Sequence, residues 1–571
     1  MVVMHIDIVP NRGSKPAVLL RESWREGKRV RKRTLANLSS LPMEQVQAIR
    51  RILKGERLAP ADELFEVMDS VHHGHVQAVL GTMDRLRFAK LIASRRSPQR
   101  DLIVAMVAAR VLEPDSKLAT TRWWHSTSLP ELLEVSGADE DDLYEAMDWL
   151  LTRQGHIEKK LAVRHLDEGS VALYDLSSSY FEGETCSLAA RGHNRDGKKG
   201  KKQVNWGLLT DGRGCPVAIS VFRGNTSDTK TLMPQVEKLR GDFGLSELVL
   251  VGDRGMISGR QIEELSGIEG VSWITALRTD AIKKLVEGEA IQLDLFDERN
   301  LFELTHPDYP GERLVACRNP ELAKLRRHKR LDLIEATTRE LDKVRRMVER
   351  GRLKGEDDIG VRVGRVVNKY KVAKHFDLDI ADDRFDFSVN DERVAAEAAL
   401  DGIYVIRTCV PAERLDAEDT VRTYKELSRV ERGFRTMKGV DLQVRPIHHR
   451  KADRVRAHFL LCMLAWYVRW HMEAAWRELL FHDEDQAAKE TRDPVAPAVR
   501  SDGALDKIHT KRRADGGRAH SFRTLLKDLA TVVRNRCRRP GADDEEQTFD
   551  LTTRPNEDQQ KAYDLIAALP V

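Results

Sequence analysis

The pattern of apolar and polar positions changes along the chain from helical to strand-like near residue 170. Residues 61–165 repeat apolar positions at helical spacing, as in RDLIVAMVAARVLEP. The following runs, such as VALYDLSSSYFEG, are short and rich in β-branched and aromatic residues, which predicts strands. Two such runs flank Asp211-Gly212 and predict a hairpin. Three hairpin-linked strands followed by helix, strand, helix and strand predict an α/β fold with a mixed five-stranded sheet.

The flanking segments predict further elements. Near the N-terminus two strand-like runs surround the turn at 26–28, and an amphipathic helix follows. Residues 320–351 predict a long charged helix with Asn319 as its N-cap. The runs DDIGVRVGRVVNKY and RFDFSVND are interpreted as strands, and 401–410 as one more.

Composition predicts a cytoplasmic protein with a phosphate-rich partner. The formal charge is only 95 − 91 = +4, but residues 191–202 hold six Lys and Arg against one Asp. Six scattered cysteines without a C-x-x-C motif fit a reducing compartment and argue against a zinc ribbon. We expect no signal peptide, and the apolar run 459–468 is too short to span a bilayer.

Three carboxylates are candidates for chemistry. Asp175 lies inside a predicted strand, where an unpaired carboxylate is costly; the alternative is an edge strand with this side chain in water. Asp253 follows a buried-strand pattern, where open α/β sheets place their sites, although it could also simply start a turn. Glu431 lies on a predicted helix, and alone it is better explained as a solvated partner of Arg435.

Together the three carboxylates predict a magnesium site. Mg²⁺ prefers oxygen ligands, and two ions roughly 3.5–4 Å apart can activate a water and stabilise the leaving oxygen in phosphodiester cleavage. The sequence contains no Walker A loop, no His/Cys zinc spacing and no G-x-S-x-G motif that would favour another chemistry. Asp228 is interpreted as the N-cap of its helix rather than as a ligand.

The predicted helix that carries Glu431 would also carry Tyr424 and Lys438, each seven residues away. Seven residues are almost two helical turns, so these side chains would form one stripe. This spacing resembles the Y-x2-R-x3-E-x6-K signature of a subgroup of insertion-sequence DDE transposases, which have a ribonuclease-H-like core and a β-rich insertion. The segments LYDLSSSYFEG, GDRGM and GNTSDTKTL are similar to other motifs of that family. The arginine position of the signature is occupied by Leu427.

The resemblance implies a DNA transposase whose Asp175, Asp253 and Glu431 bind two Mg²⁺ ions, with Mn²⁺ as a substitute. It would bind terminal inverted repeats, cut the element's end to free a 3′-OH, and join that end to target DNA, as a homodimer in the synaptic complex. The expected DNA contacts, which include the stripe and the basic loop 191–202, are Tyr424, Lys438, Arg254, Arg435, Lys198, Lys199, Lys201 and Lys202.

The resemblance also implies a division of the chain into six segments. These are an N-terminal hairpin and helix module (1–60), a helical DNA-end-binding domain (61–165), the first part of the catalytic core (166–280), an insertion domain (281–400), the second part of the core (401–480) and a C-terminal tail (481–571). Three alternatives stay open. One is a nuclease of the same fold without strand transfer, one is a non-catalytic DNA-binding derivative suggested by Leu427, and one is a scaffold protein.

Overall fold

A computed structural model of the protein describes residues 3–56, 64–294, 296, 300–539 and 548–570. In each of its strands, successive side chains point alternately to the two faces of the sheet. In chain order the strands are β1 (Val3–Asn11), β2 (Ser14–Glu26), β3 (Arg29–Asn37), β4 (Glu66–His72), β5 (Val171–Tyr180), β6 (Gln203–Asp211), β7 (Pro216–Arg223), β8 (Leu248–Val251), β9 (Val271–Ala276), β10 (Leu301–Leu304), β11 (Arg313–Arg318), β12 (Phe376–Ile380), β13 (Phe385–Val389), β14 (Ile403–Thr408), β15 (Val533–Arg538) and β16 (Thr548–Thr552).

The α-helices follow the 3.6-residue repeat of apolar positions, and several begin at a Ser, Asp or Asn whose side chain accepts a first-turn N–H. In chain order they are α1 (Met43–Leu53), α2 (Gly74–Arg85), α3 (Phe88–Ile92), α4 (Pro98–Leu112), α5 (Lys117–Trp123), α6 (Leu129–Leu132), α7 (Glu140–Thr152), α8 (Gln154–His165), α9 (Thr229–Glu237), α10 (Gly259–Ser266), α11 (Thr279–Glu287), α12 (Pro320–Glu349), α13 (Glu356–Tyr370), α14 (Asp391–Ala398), α15 (Ala417–Lys425), α16 (Leu427–Lys438), α17 (Ala452–Ala475), α18 (Ala487–Thr491), α19 (Asp502–Thr510), α20 (Phe522–Leu529) and α21 (Glu557–Ala567). None of these helices combines the length and the apolar character that crossing a membrane requires.

The chain divides into two units. The smaller spans Met1–Ser70 and Arg534–Thr553, and the larger spans Val71–Val533 and Arg554–Val571. In the smaller unit β1, β2 and β3 form an antiparallel sheet, and the predicted hairpin turns at Gly27, whose φ is +63°. Strand β1 was not predicted from the sequence.

The larger unit is built around an eight-stranded mixed sheet with the order β10-β11-β14-β9-β8-β5-β6-β7. Strand β5 is parallel to β8, and β8 to β9, while the other pairs are antiparallel. All nine residues of β6 are buried, since α16 and α17 cover this part of the sheet. The prediction of an α/β fold with a large mixed sheet is confirmed.

The predicted number of five strands is wrong. Strands β10 and β11, which lie within the segment 281–400 assigned to an insertion, pair with β14 and extend the sheet beyond β9. Four of the six residues of β11 are buried because the strand lies between two neighbours. The extension therefore belongs to the main sheet and not to a separate layer.

Part of the predicted β-rich insertion is helical. The run DDIGVRVGRVVNKY, interpreted as strand-like, lies in α13. Its buried residues Ile359, Val363 and Val367 are spaced by four, so they line one helix face against α12 despite their β-branched side chains. The predicted long helix is present as α12, with the Asn319 side chain accepting the N–H of Leu322.

Much of the segment 481–571, predicted to be a polar tail, packs into the larger unit. Phe522, Leu525, Leu526 and Leu529 of α20 are buried in the main apolar core. Their spacing places them on one side of a short helix whose other side is polar. Because most residues of the segment are polar, the apolar face of this helix was not recognised in the sequence.

Candidate active site

Asp175 occupies the middle of β5, opposite Leu208 of β6. It is half-buried between fully buried neighbours, and one carboxylate oxygen accepts the N–H of Leu176 at 2.7 Å. Burial and the nearby Asp253 carboxylate raise the pKa of Asp175 to about 7, with a smaller contribution from Glu431 in the same direction. Asp175 is therefore surrounded by like charge as well as by protein.

Asp253 lies two residues beyond the end of β8. Its Oδ1 accepts the N–H groups of Gly255 at 3.0 Å and Met256 at 2.8 Å, which fixes the carboxylate at the end of the strand. A Cβ on Gly255 would lie 3.4 Å from Oδ1. Residues 253–256 thus form a tight turn around the aspartate, and the turn presents it beside Asp175.

Glu431 lies on the exposed side of α16, whose opposite side is buried against β5 and β6. Phe434 contacts Trp206 of β6 with ring centroids 4.8 Å apart. A Cβ on Gly433 would lie 3.2 Å from both Leu208 and Trp466, so the glycine permits the close approach of helix and sheet. Within the described residues, Glu431 makes no ion pair with Arg435, although the two are four positions apart.

The predicted single helix of the signature is two helices. Helix α15 ends at Lys425 and α16 begins at Leu427, with Glu426 between them. Tyr424 is therefore not on the same regular helix as Glu431 and Lys438. Leu427, at the signature's arginine position, packs partly buried against the main core.

The three carboxylates interact electrostatically but do not form a tight cage. Both Asp253 and Glu431 act on the pKa of Asp175. Among the described residues, however, the group of three potential ligands whose atoms lie within 4.8 Å of one another is a different one, His165, Cys215 and His471. The spacing of the carboxylates is thus wider than a single small ion requires.

Arg195 and Asp228 also belong to this region, and the sequence analysis did not assign them to it. Arg195 Nη2 donates to both oxygens of Asp228, each at 2.6 Å. Arg195 opposes the rise in the pKa of Asp175, and its Nη1 is buried without a hydrogen-bond partner. Asp228 stands at the N-cap position of α9, as predicted, but its side chain makes no capping bond. The GNTSDTKTL motif was the available signal for Asp228.

Tyr424 faces the carboxylates. Burial raises the pKa of this phenol to about 12, and Asp253, Asp175 and Glu431 act in the same direction while Arg254 opposes them. Lys438, by contrast, is turned inward. Its Nζ lies 3.0 Å from Asp196, a carboxylate that is 2% exposed and also pairs with Arg445. The phenol lies at the site, whereas the ammonium holds the loop that contains Asp196.

The other predicted DNA contacts differ in how they are held. Lys201 pairs with Glu182 at 2.7 Å, Lys202 donates to the carbonyl of Glu184, and Lys198 lies 5.9 Å from the ring centre of Tyr180. The predicted contacts that are exposed and make no ion pair, side-chain hydrogen bond or cation–π contact among the described residues are Lys199, Arg254 and Arg435.

The cluster of His165, Cys215 and His471 lies elsewhere in the larger unit. The Cys215 sulfur is 3.9 Å from Nε2 of each histidine. Burial lowers the pKa of His165 to about 4 and that of His471 to about 3, so both rings are neutral. Arg213 Nη2 lies 3.3 Å from His165 Nδ1. The scattered positions of these residues gave no sequence signal for the cluster.

Comparison with known proteins identifies the family. A model of the transposase DDE domain matches residues 169–468, and a model of the N-terminal domain of IS1634-family transposases matches residues 6–63. No curated protein matches the chain. A cryo-EM structure of a piggyBac transposase synaptic complex with hairpin DNA is similar over 81% of this chain and 80% of that chain, with 9% identity and a TM-score of 0.33. Since the DDE match covers more than half of the 571 residues, the chain belongs to the transposase DDE domain family and is an insertion-sequence DNA transposase.

Proposed function

We propose that Asp175, Asp253 and Glu431 are the catalytic carboxylates of this transposase, within a ribonuclease-H-like core formed around β5. The observation that carries the proposal is that Asp253 and Glu431, from distant parts of the chain, both act on the pKa of Asp175. Negatively charged groups that lie close together repel one another and destabilise a protein, unless a bound cation offsets their charge.

The donor set fits divalent metal ions. It consists of carboxylate oxygens, which Mg²⁺ and Mn²⁺ accept, and a bound cation would favour the charged form of Asp175, which burial and the Asp253 and Glu431 carboxylates disfavour. Asp175, Asp253 and Glu431 would hold two ions, and their wide spacing is compatible with ligands divided between two sites. When bound, the ions would activate the attacking water and stabilise the leaving oxygen.

The reaction comprises two phosphodiester exchanges. In cleavage, a water oxygen bonds to phosphorus, the bond to the 3′ oxygen breaks, and that oxygen leaves as a 3′-OH. In strand transfer, this 3′-OH attacks a phosphodiester of the target and displaces another 3′ oxygen. Asp253 is pre-positioned for both steps because two backbone N–H groups fix its carboxylate.

Arg195 is the proposed ligand of the reacting phosphate. Asp228 fixes its guanidinium through Nη2, Nη1 has no hydrogen-bond partner among the described residues, and the charge of Arg195 acts on Asp175. A guanidinium held in this way can bind a phosphate oxygen with little further ordering. Arg195 would thereby supply the positive charge that the signature's arginine provides and that Leu427 lacks.

Other side chains would position the DNA backbone without reading its sequence. Tyr424, Arg254, Arg435 and Lys199 are available for this purpose in the present conformation, and Lys438 would have to exchange Asp196 for a phosphate. We further propose that helices α2 to α8, within the segment 61–165, bind the terminal repeats. Synapsis of two element ends requires at least two protomers, which would form a homodimer.

The experiment is a cleavage and strand-transfer assay on DNA that carries the element's ends, with Mg²⁺ or Mn²⁺. Asp175→Asn, Asp253→Asn and Glu431→Gln keep side-chain size but remove charge, and each should abolish both steps while DNA binding persists. Glu418→Gln, an exposed carboxylate on α15, is the matched control. An uncut substrate and a pre-cleaved one separate strand transfer from cleavage. Wild-type cleavage rates in all three variants would refute the assignment.

A further inference from the structure

A cavity of about 600 Å³ in the larger unit has a cationic lining. It lies between the start of α5 and the segment 443–454. Of the described residues that line it, Asp115 alone carries a carboxylate. The basic side chains that line it are Arg110, Lys117, Arg445, Arg450, Lys451 and Arg454.

Lys117 is the most unusual member of this lining. It is 4% exposed, and within the described chain no hydrogen bond or ion pair neutralises its ammonium. Burial, reinforced by the Arg110 charge, lowers the pKa of Lys117 to about 7. A buried lysine without a counter-charge is rare, because desolvating an ammonium is costly.

Arg110 places a second uncompensated charge beside it. Arg110 is 5% exposed, and its Nη2 donates to the backbone carbonyl of Asp115 at 2.9 Å, not to a carboxylate. Burial lowers the pKa of His449 to about 3, with Lys117 and Arg110 acting in the same direction. The histidine is therefore neutral near pH 7, and Lys117 and Arg110 are the buried lysine and arginine of a lining that is mostly basic.

The cavity is connected to the helix of the proposed active site by ion pairs. Arg445, on its lining, pairs with Asp196, and the same carboxylate binds Lys438 at the end of α16. A single carboxylate thus joins the cavity to the helix that carries Glu431. DNA is the phosphate-bearing molecule that the proposed function brings to this place.

We propose that this cavity binds a phosphate group of the DNA backbone, with Lys117 and Arg110 as its ligands. The proposal rests on the proposed function for the identity of the ligand. The chemistry is shared with free phosphate compounds, so the test includes both sources. Two buried basic side chains in a roomy cavity whose lining is mostly basic suit a phosphodiester, whose negative charge would offset part of the excess positive charge.

The test compares Lys117→Met, Lys117→Arg and wild type, with Lys329→Met as a matched surface control, since Lys329 is exposed on α12. Binding to a random-sequence DNA duplex is measured over a range of salt concentrations. Lys117→Met should bind about tenfold more weakly and with a salt slope shallower by about one, because one phosphate contact is lost. Lys117→Arg and Lys329→Met should bind as wild type does.

Inorganic pyrophosphate, added in a thermal-shift assay, tests the free source. If Lys117→Met binds the duplex as wild type does, the DNA assignment is overturned, and a pyrophosphate shift that depends on Lys117 would reassign the cavity to free phosphate compounds. If wild type neither binds nor cuts DNA, the proposed function fails, and the pyrophosphate arm alone decides whether the cavity is an anion site. Loss of folding in Lys117→Met leaves the comparison of Lys117→Arg with wild type, and a tenfold weakening there would contradict the proposal.

Discussion

The carboxylate site and the cationic cavity contrast with the buried ion pairs of the same chain. At Asp175 acidic groups gather, and at Lys117 basic groups gather, in each case without full compensation. Arg330 and Asp401, by contrast, are both buried and form a two-pronged pair, with one of the bonds at 3.0 Å. Buried charges that are paired with a counter-ion contribute to the structure alone. Buried charges without a full counter-charge lie where we expect a ligand to bind.

This contrast separates two kinds of substitution. Removing an unbalanced charge should spare or increase stability and harm function. Removing one member of a buried ion pair should lower the free energy of unfolding, while the molecules that remain folded should cleave DNA at the wild-type rate.

The largest effect is expected for Asp175→Asn. The amide cannot serve as an anionic ligand, so DNA cleavage should be lost, while the melting temperature without metal should be unchanged or higher because like-charge repulsion is relieved. Mg²⁺ should raise the melting temperature of wild type and not that of the variant, since a ligand stabilises only the state that binds it. Differential scanning fluorimetry with and without Mg²⁺ provides the measurement. A strongly destabilised variant would place Asp175 among the structural residues instead.

Asp401→Asn should show the opposite behaviour. It leaves Arg330 buried without its counter-ion, which destabilises a protein by about 3 kcal/mol or more. Urea denaturation should show an earlier transition, while the cleavage rate per folded molecule stays at the wild-type value. If the urea transition were unchanged, a buried charge in this protein would not need a counter-ion, and the distinction between paired and unpaired buried charges would be wrong.

Arg195→Lys should have an intermediate effect. Lysine keeps the charge but cannot both hold Asp228 with two bonds and direct a further nitrogen into the site. We expect cleavage to slow by about tenfold, or about 1.4 kcal/mol. Single-turnover kinetics checks this, with Arg260→Lys on the exposed side of α10 as the control. Equal rates for Arg195→Lys and wild type would exclude a directed phosphate contact.

The sequence predicted the central strands of the main sheet correctly, but it did not predict how many strands the sheet contains. Asp175 and Asp253 were proposed as site residues because a carboxylate inside or directly after an apolar strand is conspicuous in the sequence. Strand β11 was missed because an insertion was expected there, and α13 was misread because its valines favour strands although their spacing is helical.

The site was predicted only where a local pattern existed. Glu431 and Tyr424 were singled out by spacing, yet the break at Glu426 shows that a seven-residue repeat does not guarantee a continuous helix. Arg195 and Lys117 depend on burial and on partners distant in sequence. No pattern of neighbouring residues reports that a cation will lack its counter-ion.

A smaller effect, dependent on pH, is expected from Lys117. Its pKa is about 7 in the folded protein and near 10.5 when unfolded, so the unfolded state binds more protons between these values and stability should rise with pH across that range. The groups that act on it are Arg110, Cys462, His449 and His458. Lys117→Met should melt a few degrees higher than wild type below pH 7, and the difference should vanish towards pH 10. A constant difference across this range would mean that Lys117 is not a buried ammonium.

The smallest effect is expected where charges are balanced but exposed. Arg260 and Glu264 of α10 lie 3.0 Å apart at i and i+4, and the arginine side chain is 82% exposed. Water already solvates both groups, so the pair contributes about 0.3–0.5 kcal/mol, and Glu264→Gln should change the melting temperature by less than a degree. Glu264→Gln and Asp401→Asn each remove the carboxylate that pairs with an arginine, but the first pair is exposed and the second is buried. Comparing the two variants therefore separates the effect of losing a counter-charge from the effect of burial. Equal destabilisation by the two would show that pairing alone matters. A large difference would show that charge balance constrains this fold only where water is excluded.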